Sequence, residues 1–212
     1  GLGDVYKRQA HIGVIKALEE NDIPIDYISG TSMGAIVGGL YAAGYTTDEM
    51  MELIKSQEFT DAAAGQIDRR YSYYFLRDDR SPNLFSITLG DKTSGTSLLP
   101  SSVINPIPMN FEFMALFSPF TAQCGGDFNK LFVPFRCVAS DVTNKRKVVW
   151  RQGSLGMAIR SSMSFPLVFH PVDYDGALLY DGGIYDNFPV QVMTTEFAPS
   201  IIIGCLLYTS PS

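Results

Sequence analysis

Apolar and polar positions recur along this chain at periods that change several times. From Ala10 to Asn21, Ile12, Ile15, Ala17 and Leu18 fall at helical spacing with Lys16, Glu19 and Glu20 between them, which predicts an amphipathic helix. "IPIDYIS", Ile23 to Ser29, predicts a short buried strand of the kind found in parallel sheets. A sharp turn over Gly30 to Gly34 then leads into a glycine- and alanine-rich helix pattern that ends near Tyr45. Thr46, Thr47 and Asp48 are N-cap candidates for a helix over Glu49 to Ser56. Residues 57–130 mix aromatics, prolines and turn residues and predict less regular structure. Alternation returns at Val133, Phe135, Cys137 and Ala139, and a second strand, "RKVVWRQG", follows a turn at Thr143 to Lys145. Ser154 caps a predicted helix running to Met163, Asp175-Gly176 marks a hairpin, and Pro199 to Gly204 predicts a last apolar strand.

Helices interleaved with apolar strands predict an α/β fold with a largely parallel sheet. No internal repeat or linker divides the chain, so one domain is expected. The 212 residues, 46% hydrophobic and 18% charged, suffice for one sizeable core. Net charge is −6, and the only dense basic run is Asn144 to Lys147, so a nucleic-acid partner is not expected. Cys124, Cys137 and Cys205 form no CxxC pair, which argues against a disulfide framework or a zinc site. With only His11 and His170, a metal held by imidazoles is not expected. Gly34 to Tyr45, the longest weakly polar run, is too short to span a bilayer. Residues 1–9 and 205–212 resemble translated adaptor read-through, so the expected domain is 10–204.

The chemistry concentrates at "GTSMG", Gly30 to Gly34. A serine placed where a strand turns abruptly into a helix projects its hydroxyl from the backbone. The helix start aims free N–H groups, that of Met33 among them, at an anion formed beside Ser32. Gly30 and Gly34 are expected to leave no room for Cβ atoms in that turn. Ser32 needs a base. His170, with an aspartate such as Asp141, would give a Ser-Asp-His order, but hydrolases of that type place several strands before the elbow. Asp181, ending "LLYD" with Gly182 and Gly183 behind it, is the better partner. In a parallel sheet its strand would end on the same edge as the elbow.

The elbow, "DGG" at Asp181 to Gly183 with "DNFPV" after it, the "CVASDV" strand and "AIRSSMSFPLVFHPV" together resemble the patatin-like phospholipases of bacterial type. The likeness runs from about Ala10 to Gly204. It implies a three-layer α/β/α fold and a serine lipid acyl hydrolase with Ser32 as nucleophile and Asp181 as general base. It implies no cofactor, no metal, a lipid substrate and transient contact with a membrane surface. The oligomeric state stays open, and members of the family may be cytosolic, secreted or joined to outer-membrane barrels. The family's glycine-rich oxyanion loop should stand before the first helix, and "GLGDVYKRQ" occupies that place with Asp4, Val5 and Arg8 where glycines would stand, only Gly3 and Lys7 matching the loop. Phe111, Phe113, Met114 and Phe117, with Phe165 and Phe169, are candidates to wall an acyl groove; plain core packing is the competing reading for each. An exposed cluster at residues 111–120 would instead indicate a lip that docks on a membrane. The alternatives to a Ser32–Asp181 hydrolase are a Ser-His-Asp esterase using His170 and a lipid-binding domain without catalysis.

Overall fold

The computed structural model describes residues 2–66 and 104–207; the aromatic stretch at 69–87 lies outside them. The elements in chain order are α1 (Leu2–Glu20), β1 (Ile28–Thr31), α2 (Met33–Ala43), α3 (Thr47–Lys55), α4 (Gln57–Ala63) and α5 (Ile107–Gln123). They continue with β2 (Phe135–Asp141), β3 (Arg146–Trp150), α6 (Leu155–Ser162), β4 (Val172–Tyr174), β5 (Ala177–Asp181) and α7 (Val190–Phe197). The expected α/β class is what the chain adopts.

The elements set by short-range signals form where the sequence places them. Thr46 and Glu49 close a capping box on α3, each side chain taking the other's backbone N–H. Ser154 caps α6 through the Met157 N–H. Asp175 and Gly176, at φ 52° and 74°, make the two-residue turn between β4 and β5. Two departures concern helices. The expected irregular stretch contains α4 and the 17-residue α5. Of the prolines that argued against a helix, Pro106 and Pro108 begin α5, where a missing N–H costs nothing, while Pro119 lies inside it; Phe113 and Phe117 bury one face of the helix. A third departure is Pro199 to Gly204, which forms no strand. β-favouring side chains do not make a strand unless a neighbour completes the ladder, and among the described residues this segment is paired with none.

β2 is the spine. All seven of its residues are buried, with α2 and α6 packed on it. It pairs with β1 in parallel and with β3 and β5 antiparallel, and β4 adds to β5, so the described sheet is mixed. β3 covers one edge of β2 from Cys137 to Asp141. The opposite edge is shared: β1 occupies Phe135 to Val138 and β5 occupies Ala139 to Asp141. β1 and β5 therefore run toward each other along one edge and meet end to end between Val138 and Ala139. No described helix is long and apolar enough to cross a membrane.

Candidate active site

The end-to-end meeting of β1 and β5 builds the site. Thr31 lies opposite Val138 and Asp181 opposite Ala139, so the residue after Thr31 arrives beside Asp181. Ser32 and Asp181 thus converge by register on β2. The shared carboxyl edge of parallel strands, the route expected from sequence, does not apply, because β5 runs antiparallel to β2.

Ser32 sits between β1 and α2 at φ 55°, ψ −116°, a conformation that costs a non-glycine residue on the order of 1–3 kcal/mol. The turn closes tightly on Gly30, whose added Cβ would lie 2.3 Å from the Gly34 carbonyl oxygen. At Gly34 itself a Cβ would meet nothing within 4 Å, so the expected steric need at that position is not found. Gly34 contributes the backbone against which Gly30 packs.

The Ser32 Oγ donates to Asp181 Oδ2 at 2.5 Å. The other carboxylate oxygen, Oδ1, accepts the Gly183 N–H at 2.7 Å, and the Asp181 N–H is held by the Ser164 carbonyl at 2.9 Å. Gly182 is packed so that a Cβ would lie 2.2 Å from the Val138 carbonyl oxygen and 2.9 Å from Thr31 Cγ2. The loop beyond is tied down by Thr31 Oγ1, which donates to the Asp186 carbonyl at 2.9 Å, and by the Lys147–Asp186 ion pair. Asp181 is 5% exposed. Burial pushes the Asp181 pKa up, while the hydrogen bonds from Ser32 and Gly183 act in the opposite sense. A carboxylate so placed is a better proton acceptor than an exposed one.

Met33 opens α2 directly after Ser32, and the first N–H groups of a helix have no partner within it and carry the positive end of its dipole. The nucleophile's own N–H is otherwise engaged, donating to Ser162 Oγ at 3.0 Å. The segment from Leu2 to Gln9, where the resemblance puts a glycine-rich loop, is helical and forms the start of α1.

Ser32, Met33 and Gly34 border a cleft of about 340 Å³, within the range of small-ligand sites. Its apolar walls include Val14 and Leu18 of α1, Val37 of α2, and Pro189, Val190 and Met193 at the start of α7. His11 also borders it. None of the six candidate acyl-groove residues does. Phe113 and Phe117 are buried in the core, ring against ring 5.9 Å apart, and Phe169 is buried beneath the Arg160 guanidinium. Phe111, Met114 and Phe165 are exposed. The helical period of α5 explains the split, since residues 113 and 117 share the inward face and 111 and 114 lie outside it. Asp141 is buried and spends its carboxylate on the β2–β3 hairpin, accepting from Asn144 and Arg146. The hydroxyl of Ser32 is given to Asp181, and the alternative Ser-Asp-His arrangement is not formed through Asp141.

Sequence reasoning assigned no role to Asn187 and Phe188, which border the cleft, or to Ser162 and Ser164, which hold the backbones of Ser32 and Asp181. The only signal for the latter pair was their place in "AIRSSMS", a segment that resembles a family block.

Residues 9–194 match the model of a family described as patatin-like phospholipase. Among curated proteins, the chain is 32% identical over 205 residues to "Lysophospholipase NTE1" of Mycosarcoma maydis, covering 95% of this chain and 9% of that protein. It is 29% identical over 195 residues to "Patatin-like phospholipase domain-containing protein ZK370.4" of Caenorhabditis elegans, covering 91% of this chain and 12% of that protein. The chain thus spans about a tenth of the length of these relatives. A solved structure, that of VipD from Legionella pneumophila, superposes with a TM-score of 0.49 at 16% identity, over 85% of this chain and 44% of that one.

Proposed function

Because the chain belongs to the patatin-like phospholipase family, we propose that residues 10–204 act as one serine lipid acyl hydrolase domain using Ser32 and Asp181. The observation that carries this reading is the 2.5 Å hydrogen bond from Ser32 Oγ to a buried carboxylate, made at a strained strand-to-helix turn. The lysophospholipase names of the relatives make lysophospholipids the first substrate class to try.

In the proposed cycle, Asp181 Oδ2 takes the Ser32 proton as Oγ attacks the ester carbonyl. The Met33 N–H and the positive end of α2 stabilise the oxyanion. The ester C–O bond breaks, the departing alcohol takes the proton from Asp181, and the acyl group stays on Ser32. Water then gives a proton to Asp181 and its oxygen to the acyl carbon, and the fatty acid leaves as Ser32 regains its proton. No step calls on a metal or cofactor. The apolar walls of the cleft support its use for the acyl chain. Ile107, Phe111 and Met114, exposed on one face of α5, support transient contact with a lipid surface.

The purified chain is to be tested on lysophosphatidylcholine and on a soluble p-nitrophenyl ester, with a fluorophosphonate probe reporting Ser32. Ser32→Ala and Asp181→Asn are expected to abolish both hydrolysis and labelling, and His170→Asn to leave them. Loss in the His170 variant with Asp181→Asn still active would replace this reading by a Ser-His-Asp esterase. A second reading, a lipid-binding domain without turnover, draws on the helical course of α1 where the resemblance puts an oxyanion loop. Each missing oxyanion donor costs on the order of 10²- to 10³-fold in turnover. Absence of probe labelling at Ser32 would favour that second reading.

A further inference from the structure

β1 and β2 are paired in a register set from the first residue: the Ile28 N–H donates to the Pro134 carbonyl at 3.0 Å, with Ile28 opposite Phe135. Continuing the same ladder to the end of β1 brings the Ser32 N–H to the carbonyl of Val138. That bond is not made directly. The Ser162 hydroxyl stands between the two groups, accepting from the Ser32 N–H at 3.0 Å and donating to the Val138 carbonyl at 2.6 Å. Ser162 is the last residue of α6 and is fully buried.

An inserted hydroxyl satisfies both ends of the missing ladder bond while widening the gap between the strands. The widening falls at the residue that leaves the β region for φ 55°, so the chain is freed to turn without stranding a buried donor or acceptor. The same turn also reaches the other half of the pair. Two residues on, the Ser164 carbonyl holds the Asp181 N–H at 2.9 Å, and the Ser164 hydroxyl accepts from Arg160 at 2.5 Å. Arg160 is buried, with its other donors on Asn110 Oδ1 at 2.8 Å and the His170 carbonyl at 3.3 Å, so the turn is itself fixed.

We propose that Ser162 is a positioning residue that sets the nucleophile's turn by inserting its hydroxyl into the β1–β2 ladder. The inference rests on the reading of Ser32 and Asp181 as the reacting pair. Ser162 touches neither substrate nor the reacting atoms and acts through the main chain of Ser32. With the methyl group of Ala in its place, the N–H and carbonyl either remain unpaired or close on each other and draw Ser32 back toward the strand. Both outcomes move Oγ relative to Asp181.

The test compares wild type, Ser162→Ala and Ser162→Thr in the full chain, well below each melting temperature. It reads the second-order rate of fluorophosphonate labelling at Ser32, and kcat and KM on the p-nitrophenyl ester. A misplacement of about 1 Å costs on the order of 10²-fold, so Ser162→Ala is expected to lose about that in kcat and in labelling rate with KM unchanged. Ser162→Thr, which keeps the hydroxyl, should restore most of both. If Ser162→Ala does not fold, Ser162→Thr against Ser162→Val, which share a shape and differ in the hydroxyl, carries the same comparison. Labelling of Ser162→Ala at the wild-type rate, even with a lowered melting temperature, shows a merely structural role and overturns the inference alone. Wild-type labelling that is absent, or that survives Asp181→Asn, overturns the reading of the pair and this inference with it.

Discussion

The two glycines of the elbow should respond to substitution in opposite ways. An alanine Cβ at Gly30 would sit 2.3 Å from the Gly34 carbonyl oxygen, 2.4 Å from its carbon and 2.7 Å from the Ala35 nitrogen. Ordinary contact begins at about 3.5 Å, so the first turn of α2 must retreat by roughly 1 Å. Every atom in the way is backbone, and no rotamer can relieve the clash. Overpacking of this kind costs about 1–3 kcal/mol, and in a chain of this size each kcal/mol lowers the melting temperature by about 2–4 °C. Gly30→Ala is therefore expected to melt about 2–12 °C below wild type. Since Ser32 lies inside the displaced turn, its labelling rate should fall by on the order of 10²-fold. Gly34→Ala meets nothing within 4 Å and replaces a helical glycine, so it should melt at or slightly above wild type, the gain being about 0.5–1 kcal/mol. Differential scanning fluorimetry with probe labelling measures both quantities. A Gly30→Ala protein that melts with wild type, or a Gly34→Ala protein as damaged as Gly30→Ala, would refute the steric account of the turn.

Three further outcomes follow from burial. The Asp181 pKa is raised by desolvation, so the ionised form that acts as base is disfavoured in the fold. Labelling of Ser32 should accordingly rise with pH through a midpoint above the ordinary aspartate value of about 3.9. For a raised acid, the stabilising contribution is present below the unfolded pKa and lost as pH rises through the folded one. Asp181→Asn should thus melt above wild type near neutrality, with the gap closing in acid; a gap independent of pH would count against this. On α5, Phe113→Ala should cost about 3–5 kcal/mol in a urea melt, while Phe111→Ala on the exposed face should stay within about 0.5 kcal/mol. Equal losses would mean that the helix face is misassigned.

What the chain's sequence determined by itself is what a few neighbouring residues can decide. Gly30 to Gly34 between an apolar run and a small-residue helix specifies a turn with Ser32 at its apex. Thr46 with Glu49 specifies a helix start, and Asp175-Gly176 a hairpin, because in each case the partners of the backbone groups lie within a turn of the chain. The α/β class was legible for the same reason, since it needs only the succession of periods. α5 was not, because its prolines read as breakers, whereas Pro106 and Pro108 stand at the helix start and Pro119 is carried within a helix whose Phe113 and Phe117 are buried. Pro199 to Gly204 has the side chains of a strand, and a strand is made by the neighbour that completes its ladder. The meeting of Ser32 with Asp181, 149 residues apart, and of Ser32 with Ser162, 130 apart, was decided only in three dimensions. The pairing could be guessed from a resemblance, but its cause is that β1 and β5 share one edge of β2 and end at adjacent residues, Val138 and Ala139. Register along a common strand is a property of three segments at once, and no local pattern in any one of them carries it.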